Sequence, residues 1–289
     1  MEVLNSCLDQ SVNFIWEQDK GMFEARYVRR QEDYFIVYLS SQSGCNKACR
    51  FCHLTQTGQT QSVDATLADY FQQADTVLEH YDQQPSARIV HYNFMSRGEV
   101  FANQYLLSGQ GDQLISGLAE KATSRGLIPR MKFSTIMPKE LEEFQLVELF
   151  PSFNPDIYYS LYSMDPAFRR RWLPKALAAE NALEKLVDYQ QTTRKIPVLH
   201  WAFIEGENDD EQTITDICQA VNKAGLKVDF NIVRYNPYSD KQGQEPPVEV
   251  LEKAAMIMAE SVPGAEVKIV GRVGFDVKAS CGMFVGGKR

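Results

Sequence analysis

Apolar and polar positions along this chain follow two different periods. Runs rich in Val, Ile, Tyr and Phe predict strands at Phe35–Ser41, Ile89–Met95, Met131–Thr135, Ile157–Ser163, Val198–Ile204, Val228–Arg234 and Val267–Val270, because branched and aromatic side chains suit a pleated surface. Between them, apolar residues recur every three or four positions. That spacing predicts amphipathic helices at Leu67–Glu79, Gln113–Ser124, Lys139–Leu149, Ala178–Thr192, Asp210–Ala224 and Val248–Ser261. Asp209-Asp210 and Pro246-Pro247 are helix start signals. Alternating strands and helices imply a parallel sheet covered by helices. Right-handed crossovers of this kind curl into a barrel or an open wound sheet. The pattern predicts an α/β fold, a partial (β/α)6 barrel. Residues 1–33 are expected to be a short extension, a small β or helical cap, and 34–289 the core domain.

Functional residues in such sheets gather at the carboxyl ends of the strands. After the first predicted strand comes Cys45-Asn46-Lys47-Ala48-Cys49-Arg50-Phe51-Cys52, a C-x3-C-x2-C triplet. Three thiolates can hold three corners of a four-iron cluster, where four are normally supplied. The open corner marks chemistry rather than scaffolding. A zinc site would want a second Cys or His pair at matching distance, but His53 adjoins Cys52 and the next cysteine is Cys218. Disulfides are disfavoured in a chain that reads as reduced and cytoplasmic, with six cysteines and no signal or transit pattern.

Composition narrows the partners. The 289 residues fit one large domain or two small ones, and 44% hydrophobic content supports a core. No apolar run approaches the roughly 18 residues of a membrane span. A net charge of −8 argues against coating nucleic acid by bulk electrostatics. Local basic runs remain at Arg26-Arg29-Arg30 and at Arg169-Arg170-Arg171, the second beside Trp172 and a candidate phosphate contact. A monomer is expected.

The strand-end loops together resemble one group of radical S-adenosylmethionine (SAM) enzymes, the RlmN/Cfr family of adenine methyltransferases. Ser40-Ser41-Gln42-Ser43-Gly44-Cys45 with the triplet, Phe94-Met95-Ser96-Arg97-Gly98-Glu99 with Asn103, Ser134-Thr135, Ser160-Leu161-Tyr162, Tyr235-Asn236-Pro237-Tyr238 and Gly274 to Gly282 carry the resemblance, in order. It implies a radical SAM barrel with a [4Fe-4S] cluster on Cys45, Cys49 and Cys52 whose open iron chelates SAM. Reductive cleavage of SAM would then give a 5′-deoxyadenosyl radical. By the same resemblance Gly98 and Glu99 contact the SAM amino end, Ser134 and Ser160-Leu161-Tyr162 line its carboxylate or adenosine, and Asn236 binds the ribose. Cys281 becomes the methylated cysteine that delivers carbon to adenine in RNA, and Glu24 a proton acceptor. A flavodoxin- or ferredoxin-like reductant is implied.

The pattern departs from the family at one position. A second cysteine just upstream of Ser40-Ser41-Gln42, which resolves the protein–RNA adduct in the family, is here Tyr38. A phenol of ordinary pKa about 10 forms no disulfide. About 33 residues precede the barrel pattern, fewer than the family's RNA-binding segment. Two readings follow: methyl transfer to an adenine-type base through Cys281, or direct use of the deoxyadenosyl radical on a nucleotide, nucleic acid or peptide. A third is a binding protein with an inert cluster.

Overall fold

The computed structural model describes residues 1–286. Ten strands form one sheet in sequence order: β1 (Glu2–Asn5), β2 (Val12–Glu17), β3 (Met22–Gln31), β4 (Tyr34–Tyr38), β5 (Ile89–Phe94), β6 (Ile128–Thr135), β7 (Asp156–Tyr159), β8 (Val198–Ala202), β9 (Asp229–Val233) and β10 (Val267–Val270). The first four pair antiparallel, and β4 to β10 run parallel. The N-terminal residues are therefore a β meander on the leading edge of the barrel sheet. Helices follow the strands: α1 (His53–Gln56), α2 (Leu67–Tyr81), α3 (Gly111–Thr123), α4 (Pro166–Trp172), α5 (Ala179–Thr193), α6 (Glu211–Ala224) and α7 (Val248–Ser261). None among the described residues is long and apolar enough to cross a membrane.

Capping fixes several starts. The side chains of Thr66 and Asp69 cap each other's backbone at α2, and Asp210 accepts from Thr213 N at α6. The predicted helix over Lys139–Leu149 is instead two 3-10 turns, Lys139–Leu141 and Leu146–Leu149. Leu141, Leu146 and Leu149 are all buried. On one straight helix Leu141 and Leu146 would point roughly 140° apart, so the break lets both reach the core.

The sheet separates two environments. Val90, Tyr92, Phe94, Phe133, Ile157, Tyr159, Leu199, Phe230 and Ile232 are buried in the apolar layer. Their alternating neighbours His91, Asn93, Lys132, Tyr158, His200 and Asn231 line a lumen of about 640 Å³. Successive strand residues face opposite sides, so one sequence builds an oily outer layer and a polar interior. Barrel interiors of this class are usually filled by branched apolar side chains; this one is open.

Candidate functional site

The cysteine loop leaves β4 and folds over the carboxyl ends of the strands. Gly44 is required there: a Cβ would lie 2.3 Å from Gln61 O. Cys45 N donates to Gln59 O at 3.0 Å and Cys52 N to Cys49 O at 3.1 Å. Cys45, Cys49 and Cys52 are free thiols and line one pocket with Gly98, Glu99, Ser134, Ser160, Tyr162 and Cys281. Burial pushes Cys45 up to about 12 and Cys52 up to about 11, with their neighbouring thiols adding to the shift. Burial and the same neighbours drive Cys49 well above its ordinary value. Three thiolates this close and this dry need a cationic centre. No three described His, Cys, Asp or Glu side chains close around a single-ion position, whereas a cluster cube holds its thiolates further apart than one ion does. The donor chemistry fits a cluster three of whose irons these thiolates would bind.

The remaining pocket residues are held by named contacts. Gly98 sits at φ +92°, where a Cβ would be 2.7 Å from Gln42 N. We expect Gly98→Ala to cost about 1–3 kcal/mol and to loosen the Glu99 loop, read as a lower unfolding midpoint together with weaker SAM binding. Glu99 is buried; its carboxylate accepts from Phe101 N at 3.3 Å and Ile136 N at 3.1 Å. Burial raises its pKa against those donors. Ser134 Oγ lies 3.0 Å from His200 Nε2, and burial takes His200 down to about 4, leaving a neutral imidazole. Ser160 N donates to Thr135 O at 2.8 Å. Leu161 is fully buried, and Tyr162 at φ +63° stacks on Phe51 with centroids 4.6 Å apart.

Cys281 is the junction of the site. It lines the triplet pocket and the barrel lumen alike. The residue is exposed where these two cavities meet; the surrounding protein raises the thiol while Arg26 and Arg30 oppose the shift. Asn236 Nδ2 donates to Cys281 O at 3.0 Å, and Asn236 Oδ1 accepts from Arg272 at 2.8 Å. Here Asn236 positions the Cys281 turn, so both ends of its amide are engaged. His53 N reaches Gly282 O at 3.1 Å, and His53 Nε2 lies 3.1 Å from Asn236 O.

Glu24, expected as a proton acceptor, lies in a buried ion-pair network. It is fully buried and accepts from Arg26 at 2.9 Å, Arg97 at 2.7 Å, and Asn13 and Val285 N at 3.0 Å. Burial disfavours its charge, yet Arg26 and Arg97 override that and hold the carboxyl below its usual range. A carboxylate held by four donors acts here as a clamp. The clamp grips the segment carrying Cys281: Asn13 also donates to Val277 O, Arg26 to Met283 O and Arg97 to Val285 O.

Arg169, expected in a phosphate contact with Arg170 and Arg171, is turned inward. Its guanidinium is buried and donates to Leu161 O, Leu177 O and Tyr159 Oη. It braces the Leu161-Tyr162 turn and has no donor face for a phosphate. Arg171 is paired with Glu207, while Arg170 stays exposed. Sequence reasoning gave no role to Arg97, Asn93, Lys132 or His200. For Asn93, Lys132 and His200 the signal was a polar residue at alternating positions of an otherwise apolar strand; Arg97 lies in the loop after β5 and had none.

No family model matches the chain. A dual-specificity RNA methyltransferase RlmN from a Nitratiruptor species is 24% identical over 261 residues, 87% of this chain and 68% of that one. A probable RlmN from Prochlorococcus marinus (strain MIT 9303) is 28% identical over 255 residues, 85% and 66% respectively. The chain is similar to the RlmN methyltransferases over most of its length. Among solved structures, a radical SAM methyltransferase from Sphaerobacter thermophilus superposes with a TM-score of 0.78 at 16% identity, covering 98% of this chain and 80% of that one. The hydrogenase maturase HydG gives 0.55 at 12% identity, over 82% and 52%. These likenesses establish the radical SAM barrel-type fold, as the motif order of the RlmN-like chain implied.

Proposed function

We propose that this chain is a radical SAM methyltransferase that methylates an adenine-type base carbon in nucleic acid, with Cys281 as methyl carrier. The observation that carries the reading is the position of Cys281 on the shared wall of the triplet pocket and the lumen. A carrier must face the methyl donor on one side and the acceptor on the other. The similarity to named RNA methyltransferases supports RNA as the acceptor. When bound, a [4Fe-4S] cluster and SAM supply one-electron cleavage of SAM and a methyl group.

This chain's residues do the rest. Cys45, Cys49 and Cys52 hold the cluster. Gly98 and Glu99 receive the SAM amino end, with Ser134 and Ser160-Leu161-Tyr162 along the rest of the ligand. Asn236 and His53 fix the Cys281 turn from one side, and the Glu24 clamp fixes it from the other. Residues 34–289 form the core domain in this reading, residues 1–33 its extension, and a flavodoxin- or ferredoxin-like protein of the cytoplasm its electron source.

The test is anaerobic reconstitution with iron and sulfide, reduction, and addition of SAM without substrate. The expected result is a mass gain of one methylene on the Cys281 peptide, with S-adenosylhomocysteine released alongside 5′-deoxyadenosine. Deoxyadenosine alone, with Cys281 unmodified, sinks the carrier role. It would favour direct radical chemistry, the reading that Tyr38 supports. Tyr38 lines the lumen with Cys281, whereas Cys7 lies outside both cavities, its backbone N–H held by Asp276.

A further inference from the structure

A buried cation lies between the first two cysteines of the triplet. Lys47 separates Cys45 from Cys49 and is 2% exposed. Among the described residues lining the triplet pocket it is the one lysine or arginine, and Glu99 is the one carboxylate. Burial raises Cys45, Cys49 and Glu99, and the Lys47 charge opposes that shift at all three. The Lys47 backbone N–H also reaches the Cys45 sulfur. A lysine is almost never fully buried unless paired. The partner here is Glu140, whose carboxylate accepts from Lys47 Nζ.

The pair is lopsided. The Lys47 side chain is 2% exposed and that of Glu140 36%. Glu140 sits on the turn Lys139–Leu141 after β6, where Lys139 N donates to Lys175 O and Leu141 N to Pro138 O. Ile136, in the same connection, donates its N–H to Glu99, so the turn is fixed relative to the pocket. Water screens the half-exposed member far more than the dry one. The pocket therefore feels the ammonium more than the carboxylate. Arg97 differs: it acts on Cys52, but its own partner Glu24 is as dry as it is, which cancels most of its charge. Net charge, hydrogen bonds to sulfur and solvent exposure set the potential of a thiolate-held cluster. An arriving electron makes such a centre more negative, so a fixed cation beside it favours the reduced state.

We propose that Lys47, held in place by Glu140, raises the reduction potential of the cluster bound by Cys45, Cys49 and Cys52. Lys47 acts as a fixed charge and gives up neither a proton nor an electron. The electron comes from the flavodoxin- or ferredoxin-like donor, and a positive charge at the triplet lets a weaker donor deliver it. The inference rests on the cluster in the proposed function and not on the methyl-transfer step.

The experiment is a redox titration, followed by electron paramagnetic resonance, of the full chain reconstituted with iron and sulfide. SAM is left out, and iron is counted per chain. Lys47→Met is expected to cut the ratio of reduced to oxidised cluster at a fixed potential about tenfold, a shift of about −59 mV for one electron. Glu140→Gln is expected to move the ratio the other way by about twofold, because the charge it loses is a screened one. A structural brace cannot give opposite signs, since breaking it from either end loosens the same loop. A potential lowered in Lys47→Met and raised or unmoved in Glu140→Gln supports the proposal. A potential unmoved or raised in Lys47→Met, or lowered in both variants, overturns it. If Lys47→Met takes up no iron, Glu140→Gln decides: a rise supports the proposal and no rise overturns it. An unmodified chain that holds no cluster would overturn the cluster assignment and this inference together. A cluster whose potential ignores Lys47 removes the inference alone.

Discussion

Replacing Glu24 with alanine is expected to destabilise the fold by about 3–5 kcal/mol, the cost of breaking a buried ion pair from one side. The reason is that Arg26 and Arg97 are left behind, 1% and 0% exposed. Both currently point at the Glu24 carboxylate. Without it, two guanidiniums lie in a site with no other acid in hydrogen-bond reach among the described contacts. The damage should be directional. Asn13, Arg26 and Arg97 hold Val277, Met283 and Val285 by their carbonyls, so the segment around Cys281 should loosen first. Limited proteolysis and Cys281 alkylation should both accelerate before global unfolding does.

The same clamp gives a pH signature with a definite sign. The folded pKa of Glu24 lies below its ordinary value because of the two arginines, after burial is overcome. Its contribution is therefore complete above the unfolded carboxylate value of about 4.3. It is lost as pH falls from there through the folded pKa. Unfolding midpoints measured between neutral pH and the acid limb should fall less steeply in Glu24→Gln than in the unmodified chain. Parallel curves would mean that the carboxylate is not coupled to the fold, and that the clamp is geometric only.

The barrel was legible because its signals are local. Each βα unit writes its own periodicity, and the strand ends carry short loops whose residue types announce chemistry. The predicted strand Val267–Val270 coincides with β10, and the helix Val248–Ser261 with α7. The helix over Lys139–Leu149 failed because composition favoured it while the core demanded Leu141 and Leu146 on one side. What could not be read was pairing across the chain. Arg97 sits in a loop expected to serve SAM, and nothing local says that its guanidinium turns to Glu24, 73 positions earlier. Arg169 looked like a phosphate contact because three arginines in a row suggest a surface. Only the helix turn decides which one faces inward: Arg169 lies beside Phe168 on the buried side of α4. The polar lumen was the missed pattern of most consequence. His91 and Asn93, Lys132 and Ser134, and Tyr158 and Ser160 are each two apart, the spacing of one strand face.

The largest chemical effect is expected at Cys281. Cys281→Ala should leave the absorbance of the reconstituted cluster and the release of 5′-deoxyadenosine in place. S-adenosylhomocysteine formation should fall by about three orders of magnitude or more, the scale of losing a covalent catalyst's nucleophile. Cys281→Ser separates size from chemistry. Serine fits the turn, because Cys281 is held there through its carbonyl by Asn236 rather than through its sulfur. Its hydroxyl is a far weaker nucleophile than a thiolate, so the serine variant should fail as completely as alanine while matching the parent in stability. Methyl transfer that survives in either variant would move the carrier away from Cys281. The shared wall between pocket and lumen would then be a passage for substrate, with Tyr38 beside it. Retained stability together with lost S-adenosylhomocysteine would place the defect in the thiol itself, since the Glu24 clamp and the Asn236 contact hold the backbone of both variants alike.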